Sequence, residues 1–576
     1  MRNLNSSVIA GLVFLLMAAA AAKAENYLLT GEQYSQIRYR STHRIRPSDD
    51  VRSITLTYVI PHSFRSTTVR QDVSPPTIDC QPQPAKTSEK TDVHGNRILE
   101  LTWPSEGGPV SAQLSFDLET SVSMNDLRTD APFPVGDLPT EVGRYLASTA
   151  QVPTQDPRIV ALSGELTGES STQFDAVQKV LTWMVDHLRY VLTPEAPDAL
   201  YALENGRGNC QNYSHLAASL LRASGIATRI VNGFTLKKPY DIQLGSETLT
   251  MKMAQGRHSW IEVYFPDLGW VPFDPQGSEL FVSNRFVRVE IGMDNAETIQ
   301  DGLLRWTRVK GSSGRPEFME EIDARFDQDR VAVSAVKADY GPREILLCPR
   351  LEAAFTQIKR PEPPPPPEEI SPARLQDLSY RVAHAFGNLE FPRGVDFLSG
   401  FQPGEDAQKQ EIRRNFLVET AEYVTTQGQQ YAQTFLLERP MLLESVSLAL
   451  HCFNQDGQLW VELFKDGGGA PAEVIAASDI RPLSQIPFTP GYDWVEFDFS
   501  RSPVILSPGR YWIALGFTGA PIANWFFSYG KPVGPEDGTR YRTMFDEAWS
   551  RSLSYEFNYR VSGLIPAEEK PAGARP

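Results

Sequence analysis

Hydrophobic and polar positions alternate with a period of two along much of the first 140 residues. Ser53–Val59 and Arg97–Trp103 carry β-branched and aromatic side chains at alternate positions, and His94-Gly95-Asn96 supplies a turn before the second run. This pattern predicts an antiparallel β-domain over residues 25–140, packed on one face. From residue 141 the period becomes helical. Phe174, Val177, Leu181, Met184 and Leu188 recur at spacings of three and four, with Ser170 and Ser171 standing where N-caps would stand. Strand-like alternation returns after Gly225 and runs to about residue 290, so 141–295 reads as an α+β block.

The pattern weakens over 296–370, which reads as an extension and linker ending in a proline run, Pro361–Glu369. Such a run favours extended polyproline II and acts as a stiff spacer. Asp323, Asp327 and Asp329 lack a loop glycine and a closing glutamate at calcium-site spacing and read as solvated charge. Residues 371–562 form a second β-rich region, with short strands expected at Ser445–Cys452, Gln458–Lys465, Asp493–Ser500, Arg510–Phe517 and Ser554–Val561. Turn residues such as Asp466-Gly467-Gly468-Gly469 separate them, a pattern that fits a β-sandwich, the jelly roll being one form. Five of the ten tryptophans fall here and read mostly as core, although exposed aromatics could stack on sugars. Residues 563–576 read as a disordered tail.

Residues 1–24 resemble a secretory signal: Arg2 in a positive n-region, an apolar run Val8–Ala22, and Ala22-Lys23-Ala24 as a small-x-small cleavage site. The run is short for a bilayer span, which takes about 20 apolar residues. The expectation is a periplasmic or secreted protein with no membrane span after signal cleavage.

Composition narrows the function classes. A net charge of −16 argues against a nucleic-acid partner, which selects for a basic face. Four cysteines in 576 residues exclude a disulfide-dense scaffold. Cys80, Cys210, Cys348 and Cys452 fall one to a region, so no local disulfide is expected; a Cys80–Cys348 bridge between regions stays open.

Cys210 stands apart. Gly206-Arg207-Gly208-Asn209-Cys210 is a glycine-bearing turn into a helix that stops at Ser224-Gly225. A cysteine at a helix N-terminus faces unsatisfied amides and the positive end of the helix dipole, which stabilise thiolate and an oxyanion beside it. Downstream, Gly256–Phe265 alternates as a strand, Pro266-Asp267-Leu268-Gly269 turns, and Trp270–Pro275 follows. In a hairpin centred on Pro266, His258 and Asp274 would be directly opposed, with Cβ atoms roughly 5 Å apart. Another register would move them apart or onto opposite faces. Thiol, imidazole and carboxylate together are the parts of an acyl-transfer site. His215, five residues beyond Cys210, projects to a different helix face and reads as structural, and Trp260 and Trp270 read as core.

Asp198–Tyr201, Gly206–Leu216, Leu220–Ile226, His258–Tyr264 and Gly269–Pro275 resemble the core of the bacterial transglutaminase-like superfamily, over about residues 145–290. The resemblance implies an α+β, papain-like core with the cysteine helix against an antiparallel sheet. It implies Cys210 as nucleophile, His258 as general base and acid, and Asp274 as the orienting residue. The oxyanion donor stays open among the Cys210 amide and the side chains of Tyr190, Asn209 and Trp260. The expected function is that of an exported cysteine enzyme on protein or peptide amide bonds, working through a thioester, with hydrolysis favoured over amine transfer. No metal or organic cofactor is expected. The alternative is a non-catalytic surface scaffold whose C-terminal sandwich binds protein or carbohydrate. A cell-envelope glycan at that region fits either reading.

Overall fold

The computed structural model describes residues 26–338 apart from short breaks at 105–107, 125–126, 192–193, 246, 253–254 and 277–280. Beyond 338 it describes chiefly 370–387, 429–486, 492–528, 538–543 and 555–567, with shorter pieces between. The signal-like segment 1–24, the proline run 361–369, Cys348 and most of the tail lie outside the described residues.

Strand β1 (Asn26–Arg46) pairs antiparallel with β2 (Val110–Ser123), placing Tyr39 opposite Phe116 with the rings stacked at 4.7 Å. In β2 every second side chain, from Val110 through Val122, is buried, which is the period-two pattern of a sheet packed on one face. The predicted strands at 53–59 and 97–103 are present as Val51–Ile60 and Arg97–Pro104, paired with each other antiparallel in a second sheet. Their side chains Ile54, Leu56, Leu101 and Trp103 share a core with Tyr39, Leu114 and Phe116.

The helical segment holds α1 (Pro157–Thr167), α2 (Gln173–His187), α3 (Ala199–Asn205) and α4 (Cys210–Ala223). The stripe Phe174, Val177, Leu181 and Met184 is buried along α2, but the capping hydroxyl is that of Thr172, which accepts from the Asp175 amide, rather than Ser170 or Ser171. Thr172 has the extended backbone an N-cap requires. After α4, β3 (Thr228–Thr235), the hairpin β4 (Tyr240–Leu244) and β5 (Glu247–Met251), β6 (Gly256–Phe265), β7 (Gly269–Phe273) and β8 (Phe286–Gly292) complete the block. Four of these form an antiparallel sheet in the order β7-β6-β3-β8. Helix α4 packs on it through Leu216, Ala217 and Leu220, in one core with Ile230 and Ile261.

The weakly patterned stretch after 296 holds an unexpected element. Strand β9 (Glu317–Ala338) runs antiparallel along the whole of β1, from Arg46 opposite Glu317 to Asn26 opposite Ala338. Its apolar residues Phe318, Ile322, Ala324 and Phe326 only partly bury, and charge fills the intervening positions, so the strand signal is diluted. Two of the aspartates read as solvated are instead paired. Asp327 takes Arg38, and Asp329 accepts from Arg285 Nη1 at 2.7 Å and Nη2 at 2.9 Å. The Arg285 side chain is itself buried, so Asp329 neutralises a charge that water does not reach.

In the C-terminal region, β10 (Gln429–Leu437), β11 (Gln458–Asp466), β12 (Gly509–Thr518), β13 (Thr539–Thr543) and β14 (Arg551–Leu553) line up in the order β11-β12-β10-β13-β14. A second sheet includes Met441–Cys452, Asp493–Asp498 and Tyr559–Pro566. The strand expected at 554–561 breaks at Asn558, whose carbonyl accepts from Trp525 Nε1 and from the Ala449 amide. Strand β14 pairs in parallel with β5, Thr248 opposite Arg551, so the C-terminal sheet continues into the β4–β5 hairpin. Among the described residues no helix is long and apolar enough to cross a membrane.

Replacing Asp329 by Ala strips the partner from a buried guanidinium and should cost about 2 kcal/mol. Thermal unfolding checks this: Asp329→Ala should melt below the parent, and an unchanged melting temperature would show that Arg285 does not need the pair.

Candidate active site

Three local devices place Cys210. Gly206 ends α3 in the left-handed region, φ +61°, a conformation that suits glycine. Gly208 follows, and a Cβ there would lie 2.3 Å from Asn212 Cβ, so only glycine lets the turn fold onto the new helix. Asn209 then caps α4. Its side chain accepts from the Gln211 amide at 3.1 Å and from the Asn212 amide, while Asn212 Oδ1 accepts from the Asn209 amide. The cap thus uses the amides of Gln211 and Asn212 and not that of Cys210.

His258 lies on β6 and Asp274 just past β7. Their register differs from a hairpin centred on Pro266: Val263 pairs with Val271 and Tyr264 with Trp270, which centres the turn on Asp267. Continuing that register sets Asp274 across from Trp260, two residues from His258. The shift is even, so both side chains keep the same face and meet diagonally. His258 Nε2 lies 3.2 Å from Asp274 Oδ2. The second carboxylate oxygen accepts from the Gln276 amide at 3.1 Å, which fixes the carboxylate. The Cys210 thiol acts on the same imidazole, raising its pKa together with Asp274. With Nε2 facing the carboxylate, Nδ1 is the nitrogen left for sulfur.

All three groups are inside the protein: Cys210 and His258 are 0% exposed and Asp274 1%. Burial pushes the His258 pKa down, but the charge and hydrogen bond of Asp274 outweigh it, with Cys210 adding to the effect. The net result is a rise from 6.5 to about 10. Because the folded value is the higher, protonation of His258 stabilises the fold. That contribution is complete below about pH 6.5 and is lost as pH rises through about 10. A charged imidazole next to a thiol favours thiolate, and the same group can give its proton to a leaving amine.

Aromatic rings wall the imidazole. Trp260 stacks on it, tilted by 26°, at 6.0 Å between centroids, and Phe286 meets it edge-on at 5.3 Å. Gly233, opposite His258 on β3, makes room for this wall. A Cβ there would lie 1.9 Å from the Val287 carbonyl oxygen and 2.8 Å from Trp260 Cη2. Neither Gly233 nor Phe286 was singled out from sequence, though a glycine inside an apolar strand is itself a sign of close approach.

The remaining residues sort by their partners. His215 is buried with both ring nitrogens engaged: Nδ1 donates to the Pro197 carbonyl at 2.6 Å and Nε2 accepts from the Asn295 amide at 3.1 Å. Burial lowers its pKa to about 4, so it is a neutral structural imidazole. Asn209 is committed to the helix cap. Tyr190 is buried beside the turn, in a short strand paired with Gly208. Trp270 holds the Arg229 guanidinium 4.0 Å from its ring centroid and packs edge-on to Tyr264 and Tyr145. Among the described residues no group of three or more His, Cys, Asp or Glu side chains is placed to hold a metal ion.

The region that holds these residues is similar to known proteins. The model of the transglutaminase-like superfamily matches residues 160–275, a span that contains Cys210, His258 and Asp274. The uncharacterized protein YebA of Bacillus subtilis is 30% identical over 134 residues, covering 22% of this chain and 18% of that protein. The protein-glutamine gamma-glutamyltransferase of Pseudomonas aeruginosa is 29% identical over 126 residues, covering 21% of this chain and 18% of that one. The chain thus spans about a fifth of the length of each. In a crystal structure with ethylmercury bound, the periplasmic domain of TgpA from Pseudomonas aeruginosa aligns with 41% of this chain and 88% of its own, at 19% identity and a TM-score of 0.23. Residues 160–275 are a transglutaminase-like domain.

Two substitutions test the geometry. Asp274→Asn removes the charge that opposes desolvation, so the His258 pKa should fall from about 10 to below 6.5. Following the His258 ring signals against pH by NMR would show it, and an unmoved value would separate His258 from Asp274. Gly233→Ala should cost about 2 kcal/mol through overpacking and displace Trp260 from the imidazole; a variant with parental stability and an unshifted indole signal would contradict that.

Proposed function

We propose that the transglutaminase-like domain is a cysteine acyl-transfer enzyme acting on protein or peptide amide bonds. The observation that carries the reading is the buried imidazole hydrogen-bonded to the Asp274 carboxylate, with the Cys210 thiol acting on the same ring. Cys210 thiolate attacks the amide carbonyl, forming a C–S bond. The C–N bond breaks, and His258 supplies the proton with which the amine departs. The acyl group is left on sulfur as a thioester. His258, now neutral, takes a proton from the attacking acceptor, which displaces the thiolate. Asp274 orients the ring and offsets its charge. The Cys210 amide, not used by the cap, is the backbone donor best placed for the oxyanion.

Water as acceptor gives a peptidase or amidase and needs no second binding site, so hydrolysis is our first reading. Amine transfer uses the same three residues; what favours it is the name of the Pseudomonas relative, a protein-glutamine gamma-glutamyltransferase. The signal-like segment 1–24 supports a periplasmic or secreted location. A purely structural role for this core would leave unexplained why a thiol, an imidazole and a carboxylate converge in a dry interior, where each is costly to place.

Cys210→Ala should lower turnover of a casein-like substrate at least about a thousandfold. Parental activity in that variant would reject the reading. Following the same reaction with a labelled primary amine separates the acceptors: new carboxyl termini or ammonia without label mean hydrolysis, and incorporated label means transfer.

A further inference from the structure

The outer face of the C-terminal sheet carries a second organised site. Along β11, β12 and β10, alternate residues Leu459, Val461, Leu463, Ile513, Leu515 and Tyr431 enter the core. The opposite face brings together residues from four adjacent strands. Trp460 stands across from Gly516, Glu462 from Ala514, Ala514 from Ala432, and Gln430 from Arg542. A Cβ on Gly516 would lie 2.3 Å from Trp460 Cε2 and 2.4 Å from Nε1, so the indole lies down on the sheet where no side chain stands beneath it. Its Nε1 donates to Glu462 Oε1 at 3.1 Å. Gln430 Nε2 donates to Glu462 Oε2 at 3.0 Å, and Arg542 Nε and Nη2 donate to Gln430 Oε1 at 3.2 and 3.0 Å.

All four side chains are half-exposed. At the usual strand spacing the row from Trp460 to Arg542 covers about 14 Å. Polar side chains on a wet surface gain little from bonding to one another; fixed in a row beside an aromatic plate, they are pre-ordered for a ligand at little further entropic cost.

We propose that this face binds a neutral glycan. The half-buried indole offers the flat apolar face it turns to solvent to the C–H face of a pyranose ring. The Glu462 carboxylate accepts from sugar hydroxyls, and Gln430 and Arg542 donate to them. Charge selects the class: the Glu462 carboxylate beside the indole repels sulfated or phosphorylated polymers there, while of the two guanidinium groups on β13 Arg540 is buried over Trp512 and only Arg542 is half-exposed. A peptide adding as a strand finds no open backbone here, because β11, β12 and β10 are each paired on both sides. The proposal stands independently of the acyl-transfer reading, since its readout is binding.

The test is affinity electrophoresis of the full chain in native gels containing hydroxyethyl cellulose, a neutral β-glucan, glycol chitin or dextran sulfate. The neutral glucan or the glycol chitin should retard the parent. Retardation should weaken about tenfold in Trp460→Ala and also fall in the near-isosteric Glu462→Gln, which decides the matter should the first variant fail to fold. Turnover of a small amide substrate should be unchanged in both. No retardation by either uncharged polymer, retardation by dextran sulfate alone, or parental retardation of the folded variants would overturn the proposal.

Discussion

The contact between Asp274 and His258 is the constraint on which the site depends. In a dry interior an imidazole would give up its proton, because desolvation disfavours the charged form. A carboxylate 3.2 Å away reverses that. The attraction is worth far more at this depth than it would be in water, and it leaves the Nδ1 edge of the ring for Cys210. Each feature around the pair serves to hold it. The even register of the β6–β7 hairpin keeps both groups on one face, the Gln276 amide fixes the carboxylate, and Gly233 lets Trp260 close over the ring.

Strand β6 is braced by charge on either side of His258. Arg257 pairs with Asp301 at 2.7 Å and with Glu320 of β9 at 3.4 Å, and Glu320 in turn meets His43 of β1 at 3.1 Å. Four residues beyond His258, the buried Glu262 accepts from Arg229 at 2.6 Å and from Arg288 at 2.7 Å. Arg288 also donates to His62 of the N-terminal region at 2.8 Å, and burial, with the Arg288 charge, lowers the His62 pKa to about 4. Burial and the neighbouring Asp301 charge raise Glu290 to about 8, so the cluster around Arg257 holds fewer charges than it has carboxyls. Buried pairs of this kind add little net stability but penalise any arrangement that breaks them. The N-terminal sheets and β9 are thereby locked to the strand that carries the imidazole.

Much of the core was legible because local chemistry and global fold agree there. The turn Gly206–Asn209 and the stop at Ser224-Gly225 bound α4 by backbone rules alone, and the stripe on α2 is plain periodicity. The hairpin register was not legible: a two-residue shift preserves the face pattern and therefore leaves no trace in it. Strand β9 was missed for a related reason. Its apolar side is only half-buried, and its pairing partner lies some 290 residues away in sequence, Asp329 opposite Ser35 being one such pair. The link between β14 and β5 was likewise invisible, since pairing of two short strands is decided by packing rather than by either sequence.

The central claim is that Cys210 is a thiol activated by its imidazole. Burial pushes the thiols of Cys80 and Cys452 up to about 11, which leaves them almost entirely protonated at neutral pH. The most direct measurement is the rate at which iodoacetamide labels each cysteine of the native full chain at pH 7, read by mass spectrometry. Labelling of Cys210 should be much faster than that of Cys80 and Cys452, and it should slow sharply in His258→Gln. Equal slow labelling of Cys210, Cys80 and Cys452, or fast labelling of Cys210 that persists without the imidazole, would contradict it.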